Sequence, residues 1–274
     1  MSLTKDHVSV NEWSSVNLAF SKQAAHFDKD DMANPILQSW RKQIYDHVHT
    51  FLKPGNYLLE LNAGTGIDAF YFAEQGYSIL ATDLSTGMVK EMERKISQNP
   101  IPHLSCQQIS FEHLDQLGPI HFDYVFSNFG GLNCIRDLML VTRHLSKILN
   151  PGAYLTWVVM PPFCPWELLW LIKGKWREAL RRFKSGGAQA RLEGEYFHIY
   201  YHSLSDVRKS LGDSFKLVRS EGLGIFSAPP AATDFYKNYP RLYRTLQKVD
   251  GYLKPHFPFN RWGDHIIVTF QYKV

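Results

Sequence analysis

The stretch Tyr57-Leu58-Leu59-Glu60-Leu61-Asn62-Ala63-Gly64-Thr65-Gly66-Ile67 decides how the chain is read. A short, mostly apolar run meets a turn of small residues, and a helical pattern then runs from Ile67 to Gln75 with Gly76 just past its end. That order opens a strand–helix–strand unit. Ser78-Ile79-Leu80-Ala81-Thr82 supplies the second strand, closing on Asp83, and Thr86 to Gln98 reads as a second helix. Small residues in the turn let backbone pass close to a ligand, and the helix start offers free N–H groups. Asp83 falls seventeen residues after Gly66, at the end of its strand. A carboxylate there can accept two hydrogen bonds from a ribose diol.

The pattern extends in both directions. Upstream, Ile36, Leu37, Trp40, Ile44, Tyr45 and Val48 recur at three-to-four spacing, a helix ended by Lys53-Pro54-Gly55. Downstream, Phe122 to Phe126 reads as a strand, Cys134 to Leu149 as a helix, Pro151-Gly152 as a turn and Ala153 to Met160 as an apolar strand. Residues 161–205 break the rhythm with prolines, tryptophans, glycines and a basic segment. Phe215 to Ser220 and His265 to Tyr272 then read as late strands rejoining the sheet. The alternation predicts one α/β domain with a Rossmann-like, doubly wound, mostly parallel sheet. Its parts are an N-terminal helical cover (1–54), a cofactor-binding core (55–160), a substrate cap inserted after the fifth strand (161–205) and closing strands with a helix (206–274).

Composition narrows the partners. The 274 residues are 45% hydrophobic and 20% charged, enough for a sizeable core. Thirty Lys and Arg against 26 Asp and Glu leave a net charge of +4, which argues against a broad basic face for nucleic acid. Cys106, Cys134 and Cys164 form no CxxC pair and read as thiols in a reducing compartment. No run approaches the ~18 apolar residues of a membrane span, and MSLTKDHVSVNEW lacks a signal core. A soluble cytoplasmic location is the expectation. His47 and His49 point to different faces of one helix, so no metal site is expected.

The turn matches one glycine in three of the dinucleotide pattern G-x-G-x-x-G, and no Gly-Lys-Ser/Thr follows for a P-loop. LLELNAGTGI (58–67) instead resembles the first motif of class I S-adenosylmethionine-dependent methyltransferases. ATDLSTGMV (81–89) is similar to their second motif, HFDYVFSNFGGLNCI (121–135) to their fourth-strand segment, and LSKILNPGAYLTWVV (145–159) to their helix, Pro-Gly turn and fifth strand. AFSKQAAHFDKDDMANP (19–35) resembles the lead-in of the small-molecule branch. The similarity runs in order over about residues 19–160.

The resemblance implies a seven-stranded sheet with an antiparallel last strand, S-adenosylmethionine as cofactor and S-adenosylhomocysteine as product. Glu60 is expected near the methionine amino group, with Asn62, Ala63, Gly64 and Gly66 letting backbone approach the methionine portion. Asp83 is expected to hold the ribose, Leu84 and Met88 to pack by the adenine, and Ser110 and Phe111 to flank its other side. Asn128 and Phe129 would face the sulfonium. Asn62 stands where the motif has its first glycine, Ser110 where an acid is usual and Phe27 where the lead-in has Tyr. Asn tolerates left-handed backbone, so the turn survives. Asn34 and Arg41 are further polar contacts from the cover, with a surface role for Arg41 as the alternative.

Methyl transfer from a sulfonium is an in-line displacement, and it requires a base only for a poorly acidic acceptor. In Gly194-Glu195-Tyr196-Phe197-His198-Ile199-Tyr200-Tyr201-His202, alternation puts His198, Tyr200 and His202 on one face. That polar face either lines the acceptor pocket, making His198 and Tyr200 the candidate catalytic pair, or is half-exposed packing. Trp166 and Trp170 read as core. Lys173 to Lys184, with six positive charges and one negative, reads as a solvated helix face, or as a basic rim for an anionic acceptor or membrane surface. The expected function is methyl transfer to an O, N or C nucleophile of a small molecule. A nucleic-acid base methyltransferase and a non-methylating binder of S-adenosyl compounds are the alternatives. Met160-Pro161-Pro162-Phe163 has the wrong first residue and follows the wrong strand for an adenine-N6 loop.

Overall fold

A computed structural model describes residues 10–172, 174–184 and 186–273, with side chains described from Trp13 onward. Lys173 of the basic segment lies outside them. Seven strands form one sheet: β1 (Tyr57–Leu61), β2 (Ser78–Asp83), β3 (Leu104–Gln108), β4 (Phe122–Ser127), β5 (Leu149–Val159), β8 (Phe215–Leu223) and β9 (His265–Tyr272). The remaining two, β6 (Ala188–Leu192) and β7 (Glu195–Ile199), make a separate antiparallel hairpin. The strand order in the sheet is β3-β2-β1-β4-β5-β9-β8, with β1 to β5 parallel and β9 antiparallel to both neighbours. The order reverses between β1 and β4, so their carboxyl ends flank the switch-point crevice where ligands bind in open sheets.

The central strands are apolar on both faces because helices cover both. Leu59, Leu61, Val125, Leu155 and Val159 pack on one side, and Leu58, Tyr124, Phe126 and Val158 on the other. Among the described residues three helices precede the sheet: α1 (Val10–Gln23), α2 (Phe27–Ala33) and α3 (Pro35–His49). Asn34 caps α3 by accepting from the N–H groups of Ile36 and Leu37, and it donates to the carbonyl of Pro230. It serves the helix start and the chain packed beside it. Helices α4 (Ile67–Glu74) and α5 (Thr86–Gln98) follow β1 and β2; later come α6 (Leu204–Leu211) and α7 (Pro240–Leu253).

Two local expectations change. The helix expected over 134–149 is broken into short turns, Met139–Thr142 and Leu145–Ile148, because Ile135 is extended and the Asp137 side chain accepts from Met139 N–H, restarting the chain there. The basic segment is no solvated helix face either. Among its described residues only Trp176–Ala179 are α-helical, Arg182 is buried, and Trp176, Leu180 and Phe183 are exposed.

Candidate functional site

At the crevice, β1 runs into Asn62, whose φ of +48° lies in the left-handed region that Asn accepts more readily than most residues. Its side chain locks two strand ends: Nδ2 donates to the Asn128 carbonyl at 3.0 Å, and Oδ1 accepts from the Ser127 hydroxyl at 2.6 Å. A Cβ on Gly131 would lie 2.2 Å from the Asn62 side chain, so the departure from the glycine motif is matched by a glycine across the crevice. Gly64 (φ +58°) is open on the ligand side, where an added Cβ would meet nothing nearer than the Phe27 ring at 3.6 Å. Gly66 (φ +87°) sits against Met92 instead, and its role is to start α4.

Asp83 ties the turn to the next helix. One carboxylate oxygen accepts from Gly64 N–H at 2.8 Å and the other from Ser85 N–H at 2.7 Å. Burial raises its pKa, and those N–H groups oppose the rise. Each oxygen keeps a lone pair for a diol. Glu60 lies behind the turn, and its Oε2 is buried with no partner. Burial, then the negative charge of Asp68, pushes its pKa well up, with Arg41 opposing and Asp83 adding to the rise.

Arg41 is not a surface residue. It is buried between Asp31 and Asp68, pairing with both, and its guanidinium stands 4.9 Å from the Phe129 ring centroid. Burial works against its charge, yet Asp68, Tyr45 and Asp31 outweigh that cost and raise its pKa. Asp68 also accepts from the Tyr45 hydroxyl and from Asn128 Nδ2 at 2.9 Å. Arg41 Nε is buried and has no hydrogen-bond partner.

These residues border a cavity of about 290 Å³. Asn62, Ala63, Gly64, Asp83, Leu84, Met88, Phe111, Asn128 and Phe129 all line it, so nine of the twelve expected cofactor contacts meet at one place. Glu60 and Gly66 stand behind it. Ser110 caps a 3-10 turn by accepting from Glu112 N–H, and its neighbours Ile109 and Phe111 face the cavity instead. Sequence reasoning missed Trp13, Val16 and Phe20 of α1, Asp68, Cys134, Met160 and Ile199, which complete the wall. Burial pushes the Cys134 thiol up to about 12, so it stays protonated.

Phe197 and Ile199 are the β7 residues on the cavity. The hairpin packs on α1 through Phe20, 5.8 Å from Phe197 between ring centroids, which turns the apolar face inward. His198 is therefore exposed, its ring 6.4 Å from that of Tyr200, and Tyr200 borders a separate groove. His202 is buried against the Ile135 carbonyl at 2.9 Å, and burial lowers its pKa. The imidazole packed on the cavity wall is that of His265. A Cβ on Gly130 would lie 3.3 Å from its Nε2, which is buried without a partner, and Nδ1 lies 2.9 Å from an Asp264 oxygen. Cys164, Glu167 and Asp264 bring three ligand-type atoms within 4.8 Å of one another, but Arg182 donates to both carboxylates and holds their charge.

The strand order, the glycine turn after β1 and the acid ending β2 together make a Rossmann-like, doubly wound fold with its crevice at the switch point. Residues 59–155 match the family model described as a methyltransferase domain. The demethylmenaquinone methyltransferase of Corynebacterium urealyticum is 28% identical over 130 residues, 46% of this chain and 52% of that protein. The chain thus aligns with about half the length of the curated relatives it matches. Among solved structures, a putative S-adenosylmethionine-dependent methyltransferase from Listeria monocytogenes superposes with a TM-score of 0.58 at 18% identity, covering 84% of this chain and 96% of that one. The Burkholderia thailandensis 1,6-didemethyltoxoflavin-N1-methyltransferase, bound to its substrate and S-adenosylhomocysteine, gives 0.58 at 14%, covering 99% and 94%.

Proposed function

We propose that this chain transfers a methyl group from S-adenosylmethionine to a small apolar acceptor. The observation that carries this reading is one cavity with two unlike ends, polar at Asp83–Gly64 and apolar at Phe20, Phe129, Met160 and Phe197. The donor's groups fit the residues present. Asp83 has free lone pairs for a ribose diol, and Leu84, Met88, Ile109 and Phe111 form an apolar slot for a purine. Arg41, with its unpaired Nε, suits a carboxylate, and the buried orphan oxygen of Glu60 suits an ammonium group. When bound, S-adenosylmethionine supplies an activated methyl on a sulfonium.

The chain's own part is alignment and exclusion of water. Phe129, Met160 and Phe197 wall the acceptor end, so a nucleophile held there would meet the donor in a dry site. The imidazole nearest the acceptor end is that of His265, whose Nε2 is buried behind Gly130 and would have to be reached past it for the ring to take a proton, while Asp264 faces Nδ1. The decisive experiment is calorimetry with S-adenosylmethionine, S-adenosylhomocysteine and NAD(H), followed by a screen of phenols, quinols, amines and polyketide-like acceptors read by S-adenosylhomocysteine release. Binding of the S-adenosyl compounds with turnover of an apolar acceptor is expected. Binding without turnover of any acceptor would leave a non-methylating binder, and no binding would overturn the reading.

A further inference from the structure

Among the described residues of 164–184, a run of short turns rather than one helix, five bulky apolar side chains face outward. Leu169, Ile172, Trp176, Leu180 and Phe183 follow one another at spacings of three and four, and all five are exposed, Ile172 at 84% and Trp176 at 64%. The inward side buries Cys164 and Ala179 and, beside them, an ionic cluster. Glu167 is buried and accepts from Arg181 and Arg182, while Arg182 also donates to the side chain and carbonyl of Asp264 and to the carbonyl of Pro161. A soluble segment normally buries its apolar stripe and shows its charges. Here the ionic network fixes the segment to the ends of β5 and β9 and holds the apolar stripe outward.

The charges beside the stripe say what covers it. Lys175, Arg177 and Lys184 are exposed, with Glu178 the one exposed acid among described residues 169–184. Bulky apolar side chains set among long cations match the interfacial zone of a bilayer, where apolar groups enter the acyl boundary and Lys and Arg reach back to anionic headgroups. A second copy of the chain fits less well, because a two-fold interface would set this cationic border against itself.

We propose that residues 169–172 and 174–184 dock the protein on an anionic lipid surface. The Arg182 anchor joins the docking face to Pro161, next to Met160 of the cavity wall. An acceptor dissolved in the bilayer would then be delivered beside the site. That last step rests on the methyl-transfer reading, whereas the docking does not.

The test is flotation of the full chain with vesicles of phosphatidylcholine containing about a third phosphatidylglycerol, without donor or acceptor. Wild type is expected to float with these vesicles and at least about tenfold less with pure phosphatidylcholine, the cations contributing roughly a factor of five each. Ile172→Glu/Trp176→Glu is expected to lose at least about tenfold in binding, and Lys175→Glu/Arg177→Glu a similar factor. Both variants should keep the wild-type melting temperature and the affinity for S-adenosylhomocysteine, since the altered side chains are exposed and outside the cavity. No flotation of wild type would overturn the proposal, as would equal flotation of the Ile172→Glu/Trp176→Glu variant. A dimer that this variant abolishes, with no vesicle binding by wild type, would show a second copy on the face instead. Failure of flotation with intact S-adenosylhomocysteine binding would leave the methyl-transfer reading standing.

Discussion

At the β2 end of the cavity, Asp83, Gly64 and Ser85 are joined by short hydrogen bonds that fix both carboxylate oxygens of Asp83. At the β7 end, Phe20, Phe129, Met160 and Phe197 contribute shape and little else. The first end suits a ligand rich in directional groups, the second a ligand recognised by its apolar surface. Between them stands the Asp31–Arg41–Asp68 network, buried and ionic. Changes at the three places should therefore fail in three ways: network changes in folding first and, through Arg41, in the grip on the donor's carboxylate, polar-end changes in donor affinity alone, and apolar-end changes in acceptor turnover.

The largest effect is expected at the divide. Asp68→Ala strips a partner from Arg41, the Tyr45 hydroxyl and Asn128 at once. Leaving such groups buried and unpaired costs about 3 kcal/mol or more, read as a lower unfolding midpoint in urea. An unchanged midpoint would mean that the network carries no stability. Asp83→Ala comes next: S-adenosylhomocysteine should bind ~10–100-fold more weakly by calorimetry, as charge-assisted bonds to a diol are lost. Equal affinity would break the assignment of the polar end. At the apolar end, His265→Gln should lower kcat for an acceptor that must lose a proton by ~10²-fold or more, with donor affinity intact. His198→Gln should change neither, and the reverse result would restore the β7 imidazole as the proton acceptor.

The same division explains what could be read in the sequence. The polar end is built by contiguous residues under backbone constraints, since a tight strand–helix turn needs small residues and its acid must end the next strand. Residues 57–67 and 78–88 therefore announce both fold and site. The apolar end draws Trp13, Phe129, Met160 and Phe197 from four distant segments, and an isolated aromatic looks like any core residue. Alternation separates the two faces of β7 only over Glu195–Ile199 and ends with the strand, since Tyr200, Tyr201 and His202 all border one separate groove; which face of β7 turns inward depends on how the hairpin docks on α1. For Arg41 the sequence leaves a polar contact and a surface role equally open, because only the fold brings Asp31 and Asp68 to it. His265 carried no local signal: its place follows from β9 running antiparallel, so that its first residue lies beside the end of β5.

The smallest effect tests the polar end most finely. Glu60 is buried beside Asp68 and Asp83, and its pKa is pushed up first by burial. The folded chain then holds a proton that the unfolded chain has released once the pH passes the ordinary value of 4.5. More protons bound in the folded state means that stability falls as pH rises from there through the folded pKa. Glu60→Gln keeps the shape and removes the proton equilibrium. Its melting temperature should fall less between mildly acidic and neutral pH than wild type's, and at neutral pH should exceed it by ~2–4 °C, the shift about 1 kcal/mol produces at this size. A cationic amino group reaching Glu60 would favour the ionised carboxyl, so donor binding should release protons in wild type and release fewer in the variant. Calorimetry in two buffers of different ionisation heat reads that difference directly. Equal proton release by both proteins would separate Glu60 from the donor and leave Asp83 to define the polar end.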